Sequence, residues 1–294
     1  ALAAGSSVVF KPAEETPITG WRIVRALLDA GLPPKAISLL WGDPAEISDT
    51  LVKAPKIRKI SLTGSTRVGR LLAGAAGHEL KKVTMELGGH APVIIARDAD
   101  LSKVVPLAAE WKFRNAGQVC VSPTRFLVEA PLYDDFVSGM AEAAEKITVG
   151  NGADPATTMG PLASSAQFDK IQDLIGDAID KGARVATGGA RIGNQGWFFA
   201  PTILADMTTE MRAMNEEPFG PLALVTKVND LDAALAEANR IPVGLAAYAF
   251  TGDSETRHRI VSDIKSGMLG VNHFAMAMPE TPFGGVLDSG LGSE

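Results

Sequence analysis

Lys59-Ile60-Ser61-Leu62-Thr63-Gly64-Ser65-Thr66, then a helical run over 68–76, then Val83-Thr84-Met85-Glu86-Leu87-Gly88-Gly89, is the stretch whose reading decides the fold. Residues 59–63 read as a strand, Gly64-Ser65-Thr66 as a turn, and 83–85 and 92–96 as further strands. Strand, helix and strand in succession call for a parallel sheet with helices packed on it. Toward the N-terminus the pattern repeats. Val8-Val9-Phe10 is a short strand, and 11–17 is a loop. A helix over 18–30 carries Ile23, Leu27 and Leu28 and stops at Gly31, with Pro33-Pro34 beyond. A strand over 37–41 and a short helix over 45–52 come next.

Toward the C-terminus a second α/β region begins. Helices are expected over 101–114 and 133–147, the latter with Phe136, Met140, Ala143 and Ile147 on one face. Phe168, Ile171, Leu174, Ile175, Ala178 and Ile179 form another stripe, read as core packing. Strands are expected over 125–128, 223–228, 246–250 and 269–271, and helices over 231–239 and 255–264. The fold class is α/β, with a parallel sheet covered on both faces. No internal repeat or low-complexity linker interrupts it, and the domain boundary is placed near Gly88-Gly89.

Composition bounds the function. At 294 residues the chain has room for about two domains. Hydrophobic residues make up 46% and charged residues 21%, an ordinary globular balance. Lys and Arg number 28 against 34 Asp and Glu, so the net charge of −6 offers no basic surface for nucleic acid or an anionic membrane. A single cysteine excludes an intrachain disulfide framework and a multi-thiolate zinc site, and fits a reducing, cytoplasmic compartment. No apolar run approaches the roughly 20 residues that span a bilayer. The opening Ala1-Leu2-Ala3-Ala4-Gly5 has no basic region of a signal peptide, and it lacks Met, a hint of a processed chain or a fragment.

Few residues can carry chemistry. Cys120 lies between a helix and a strand, where a rigid scaffold can present a reactive group. Taken alone it is equally a small buried hydrophobe. None of the four histidines, His78, His90, His258 and His273, pairs with it from sequence, which argues against a cysteine hydrolase. Glu86 ends a strand beside two glycines. The carboxyl ends of parallel strands are where ligands bind in open α/β sheets, and a carboxylate there can act as a general base. The alternative is a solvated loop acid. Ser65 opens a helix, either as a phosphate-binding start or as a plain cap. Lys11 and Glu14 come just after the first strand and can reach a nucleotide ribose or serve as surface charges.

Order and spacing add what single residues do not. Lys11-Pro12-Ala13-Glu14-Glu15-Thr16-Pro17, Thr63-Gly64-Ser65, Glu86-Leu87-Gly88-Gly89, Gly117-Gln118-Val119-Cys120, Glu216-Glu217-Pro218-Phe219-Gly220-Pro221 and Pro282-Phe283-Gly284-Gly285 together resemble the NAD(P)-dependent aldehyde dehydrogenase superfamily, from the first residue to the last. The resemblance implies a partial Rossmann-like NAD-binding domain over 1–87 and an α/β catalytic domain over 88–294. It implies that Cys120 attacks an aldehyde to give a thiohemiacetal and then a thioester, with Glu86 activating water for its release. Lys11 and Glu14 would hold the adenine ribose, Ser65 the pyrophosphate, and Glu217 the nicotinamide ribose. Leu87 and Phe219 would pack on the cofactor, with Gln167 and Lys170 on the same side. Glu14 would accept from both ribose hydroxyls and repel a 2′-phosphate, so NAD is expected over NADP.

Lys112-Phe113-Arg114-Asn115 resembles the succinic semialdehyde branch. There Arg114 would bind a substrate carboxylate, with Phe283 lining the same site. A structural ion pair at the helix end is the competing reading of Arg114. Ala275-Met276-Ala277-Met278 lacks the serine that some branch members place near this carboxylate. Family members also carry a Pro-Trp-Asn motif before the equivalent of Ala1, whose Asn is an oxyanion donor, and a strand beyond the equivalent of Glu294. The resemblance thus implies a chain cut at both ends. Its partners are a small aldehyde and, in the full-length form, copies of itself, with no nucleic acid, membrane or metal. A dehydrogenase-like protein that binds NAD or a partner without turnover is the alternative.

Overall fold

The computed structural model describes residues 1–293, so Glu294 lies outside the described residues. The chain forms two compact units, Ala1–Arg58 and Lys59–Glu294. In the smaller unit, strand β1 (Val8–Phe10), helix α1 (Pro17–Asp29), strand β2 (Ile37–Leu39) and helix α2 (Pro44–Lys53) succeed one another. β1 and β2 pair in parallel with Val8 opposite Ile37, as a helical crossover permits. Pro17 starts α1, where its missing N–H costs nothing. Val24 is the large apolar side chain this helix buries, while Ile23 stands 50% exposed.

The larger unit opens with β3 (Lys59–Thr63), α3 (Thr66–His78) and β4 (Lys82–Glu86). β3 and β4 are parallel, with Thr63 opposite Glu86. The next strand, β5 (Ala91–Ile95), joins a different sheet. After it come α4 (Leu101–Phe113), β6 (Pro123–Glu129), α5 (Tyr133–Glu145), α6 (Ser165–Asp180), β7 (Arg184–Thr187), β8 (Thr202–Ala205) and β9 (Leu222–Val228). The chain continues through α7 (Leu231–Ala238), β10 (Val243–Gly244), β11 (Ala246–Phe250), α8 (Ser254–Asp263), β12 (Met268–Val271), β13 (Val286–Leu287) and β14 (Gly290–Leu291). The large sheet has seven strands in the order β12-β11-β5-β6-β9-β8-β7. Its pairs are parallel except β7 on β8. β14 returns antiparallel onto β4 and completes a three-stranded sheet, β14-β4-β3.

The large sheet is buried on both faces, so its central strands read as unbroken apolar runs. Alternation sorts their side chains. Val93, Ile95, Phe126, Val128, Tyr248 and Phe250 join the main core with helices α4, α5 and α6. Ile94, Leu127 and Ala249 face a second core with α7 and α8. This is the two-residue period of a strand between two helical layers.

The expected elements are present, with end shifts and some omissions. The sequence pattern does not mark β7, β8, β10, β13 or β14, and the last three are only two residues long. Ile179, read as core, is 48% exposed in the last turn of α6, while its neighbour Ala178 is the residue that meets the core there. The helix expected to run through Arg114 ends at Phe113. Asn115, Ala116 and Gly117 then take left-handed conformations (φ 53°, 52° and 69°). The change of sheet falls between β4 and β5, at the connection that contains Gly88-Gly89. No described helix is long and apolar enough to cross a membrane.

Candidate active site

Glu86 is the last residue of β4, and its carboxylate is buried, not solvated as the loop-acid alternative required. β4 is covered on one edge by β3 and on the other by β14, with Gly290 opposite Glu86. Ser289 holds the turn beyond Glu86 at two points. Leu87 N–H donates to Ser289 O at 3.0 Å, and Ser289 Oγ donates to Gly88 O at 2.8 Å.

The two glycines matter because of what they touch. A Cβ at Gly88 would lie 2.5 Å from Glu217 Oε2, and a Cβ at Gly89 would lie 2.8 Å from the Cys120 carbonyl oxygen. Any side chain there would separate the end of β4 from both groups. The connection therefore runs from Glu86, at the carboxyl end of one sheet, to the backbone of Cys120, which precedes β6 at the amino end of the other, and the charge of Glu86 reaches the thiol.

Cys120 is partly buried and packs at the margin of the main core. The segment that carries it is held on several sides. Asn115 Nδ2 donates to Gln118 O at 3.0 Å. The Gln118 amide donates to Asn115 O and Pro161 O and accepts from Ala163 N–H at 2.9 Å. Gly117 abuts the Gly220 carbonyl so closely that a Cβ would overlap it, and its φ of +69° also favours glycine. Tyr248 OH donates to Val121 O at 2.6 Å on the far side. Burial, then the charges of Glu217 and Glu86, push the Cys120 thiol above its ordinary range. At neutral pH the resting group is the protonated thiol, so a base must take its proton before or during attack.

Glu217 is partly buried opposite this segment. Burial pushes it up to about 7, against the Gly89 N–H bond and the Lys170 and Lys112 charges, which favour the carboxylate. Gln167 and Lys170 on α6 meet this loop through its backbone. Gln167 Nε2 donates to Pro218 O and Lys170 Nζ to Glu217 O, each at 2.6 Å. Their observed role is to hold the loop that presents Glu217. Phe219, with φ 46°, is 37% exposed.

The other expected site residues lie around this centre or in the smaller unit. Ser65 caps α3, accepting from Val68 N–H at 3.4 Å. Leu87 is buried against α3, where a Cβ at Gly69 would overlap its Cδ2. Arg114 is exposed, with its guanidinium 4.5 Å from the centre of the Trp111 ring. Among the described residues it makes no ion pair, so the helix-end salt bridge is not what holds it. Trp111 also stacks on Phe274, which packs against Tyr248 at 4.7 Å. Phe283 is partly buried against the main core. Lys11 and Glu14 belong to the smaller unit and form an ion pair with each other, which holds the Glu14 carboxyl below its ordinary value. Sequence reasoning missed Ser289, Tyr248 and Trp111. Only the Ser289-Gly290 pair carried a local signal, a turn.

A parallel α/β scaffold that brings a lone thiol and two carboxylates to a glycine hinge defines a thiol-bearing site between two sheets. A family model described as the aldehyde dehydrogenase family matches residues 1–294, and the chain belongs to that family. It is 45% identical to the 4-(hydroxymethyl)benzenesulfonate dehydrogenase of Comamonas testosteroni over 294 residues, covering 100% of this chain and 61% of the relative. The crystal structure of succinate-semialdehyde dehydrogenase from Burkholderia pseudomallei superposes with a TM-score of 0.98 at 41% identity, covering 100% of this chain and 61% of that one. An NADP dependent enzyme of E. coli gives a TM-score of 0.97 at 39% identity, covering 99% of this chain and 61% of that one. The chain thus spans about three fifths of the length of these proteins.

Proposed function

We propose that the protein oxidises an aldehyde bearing an anionic group to the carboxylic acid, with Cys120 as nucleophile, Glu86 as base and a nicotinamide dinucleotide as electron acceptor. The meeting of Glu86 and Cys120 across Gly88-Gly89 carries this reading. Cys120 Sγ adds to the carbonyl carbon and gives a thiohemiacetal. When bound, the nicotinamide supplies the two-electron acceptor that turns this adduct into a thioester. Glu86 then takes a proton from water, and the oxygen attacks the thioester carbon and releases the acid and the thiol.

The residues present suit the groups of such a cofactor. Glu217 offers a carboxylate, packed against Gly88, of the kind that accepts hydrogen bonds from a ribose diol. The amides at the start of α3 and the positive end of its dipole suit a pyrophosphate. Within the smaller unit, Glu14 is held as a carboxylate by Lys11, and its charge would repel a 2′-phosphate, which favours NAD over NADP.

Arg114 recognises the anionic end of the substrate. Trp111 supports one face of the guanidinium and leaves its N–H groups open to a carboxylate or sulfonate. The relatives named for a benzenesulfonate and for succinate semialdehyde support an acid group of either kind. The test follows nicotinamide reduction with NAD or NADP and succinic semialdehyde. Turnover that Cys120→Ala abolishes is expected, with the higher kcat/KM for NAD. Cofactor binding without turnover would overturn the reading. Arg114→Ala should raise KM for anionic aldehydes at least tenfold more than for neutral ones, and equal effects would remove Arg114 from recognition.

A further inference from the structure

Lysine is almost never fully buried unless something pairs with it. Lys112, in the last turn of α4, is 0% exposed. Its Nζ donates to Ser122 Oγ at 3.1 Å, and on the other side a Cβ at Gly117 would lie 3.1 Å from the same nitrogen. The amine therefore bonds the chain after Cys120 and lies beside it before Cys120. A methionine could fill the volume without the cost of burying a polar head.

We propose that Lys112 is a positioning residue for the Cys120 thiol: its amine braces the segment on both sides of the sulfur and, through Glu217, sets the charge that faces it. This inference rests on Cys120 being the nucleophile. Glu217, on the facing loop, is the charge that favours the cation of Lys112. His90, at the start of β5, lies in the same field. It is buried between Thr124 Oγ1 at 2.8 Å and Ala213 O at 2.9 Å, and is kept neutral by burial first and then by Arg125, Lys112 and Lys170. Lys170 also faces Glu217 from α6. Around the sulfur itself stand Glu217, Glu86 and Tyr248.

Burial brings Lys112 down to about 7 and Glu217 up to about 7. The two groups titrate in one range, and the charge of each favours the charge of the other. The Lys112 cation lets Glu217 ionise at lower pH, and ionised Glu217 holds the thiol protonated. Without the cation, Glu217 ionises later, and its effect on the sulfur is displaced to higher pH.

The single cysteine makes this measurable. The rate of iodoacetamide alkylation of Cys120 is followed against pH in the parent chain, Lys112→Met, Ser122→Ala and Glu217→Gln, with the fold checked by circular dichroism. The parent should show two steps, one near pH 7 that Glu217→Gln removes and a higher one from the thiol. Lys112→Met should move the lower step up by about one pH unit. Ser122→Ala, which removes the acceptor of the cationic amine, should move it the same way by less. A folded Lys112→Met with an unmoved lower step overturns the proposal, as does a parent without that step. Should Lys112→Met not fold, an unmoved step in Ser122→Ala overturns it instead. A displaced step in a chain whose Cys120 forms no acyl adduct would retain the brace and reject the nucleophile.

Discussion

The seven-stranded sheet and the three-stranded sheet deliver one reactive group each, and they do so on different footings. Every residue of β5, β6 and β11 is buried, and helices cover both faces. In β3 no residue is buried, and α3 buries only Gly69 and Ala76 while Leu71 stands 63% exposed. The thiol rides on the dense layer, and the carboxylate rides on the thin one. Glu86 is nonetheless buried, because β14 and the Gly-Gly connection close over the last residues of β4. Rigid placement of the nucleophile comes from packing depth, and placement of the base comes from backbone contacts at a hinge.

Glycines in the two regions give the sharpest way to break this contrast. Gly117→Ala should cost about 3 kcal/mol or more in denaturant unfolding, since a left-handed φ and a backbone carbonyl both oppose the new Cβ. A loss below about 1 kcal/mol would show that the Cys120 segment yields easily.

The next effect is the pH dependence of stability. Lys112 sits at about 7 in the folded chain, against about 10.4 when unfolded. Between these values the unfolded chain binds the extra proton, so stability from this group rises with pH, by at most about 1.4 kcal/mol per unit. Over one and a half units above neutrality the parent should gain about 2 kcal/mol relative to Lys112→Met. Thermal melts of both chains across that window check the sign, and parallel curves would deny that the amine is buried as a titrating group.

Gly69→Ala should be the mildest. The obstacle is the branched end of the buried Leu87, with both methyls within 2.7 Å of the new Cβ, but no backbone opposes it and alanine favours the helix, so the loss should be about 1 kcal/mol and below that of Gly117→Ala. A loss as large as that of Gly117→Ala would erase the distinction between the two sheets.

Much of the fold was legible because its central elements are long and strongly patterned. Residues 59–63 and 246–250 read as strands from their own residues, and both are strands over those bounds. The two-residue strands β10, β13 and β14 were not legible, because pairing there is set by partners distant in sequence. Cys120 and Glu86 stood out by residue type and by the glycines beside them, but not their proximity, which depends on Gly88 and Gly89 touching two other loops. Lys112 enters the sequence reading only within the Lys112-Phe113-Arg114-Asn115 motif, and nothing there points it inward. A lysine at the end of a helix reads as a solvated charge, and only tertiary packing turns it inward. The sequence alone does not choose between an ion pair and a ligand site for Arg114, and the Trp111 ring three residues away, one helical turn back, is the clue it offers.

The most direct test of the central claim is the intact mass of the chain after brief incubation with a nicotinamide dinucleotide and succinic semialdehyde and an acid quench. One acyl group should be found on the peptide that contains Cys120, with more of it in Glu86→Gln because release is slowed, and none in Cys120→Ala. Reduced nicotinamide formed with no acyl group on Cys120, or formed equally by Cys120→Ala, would contradict the account.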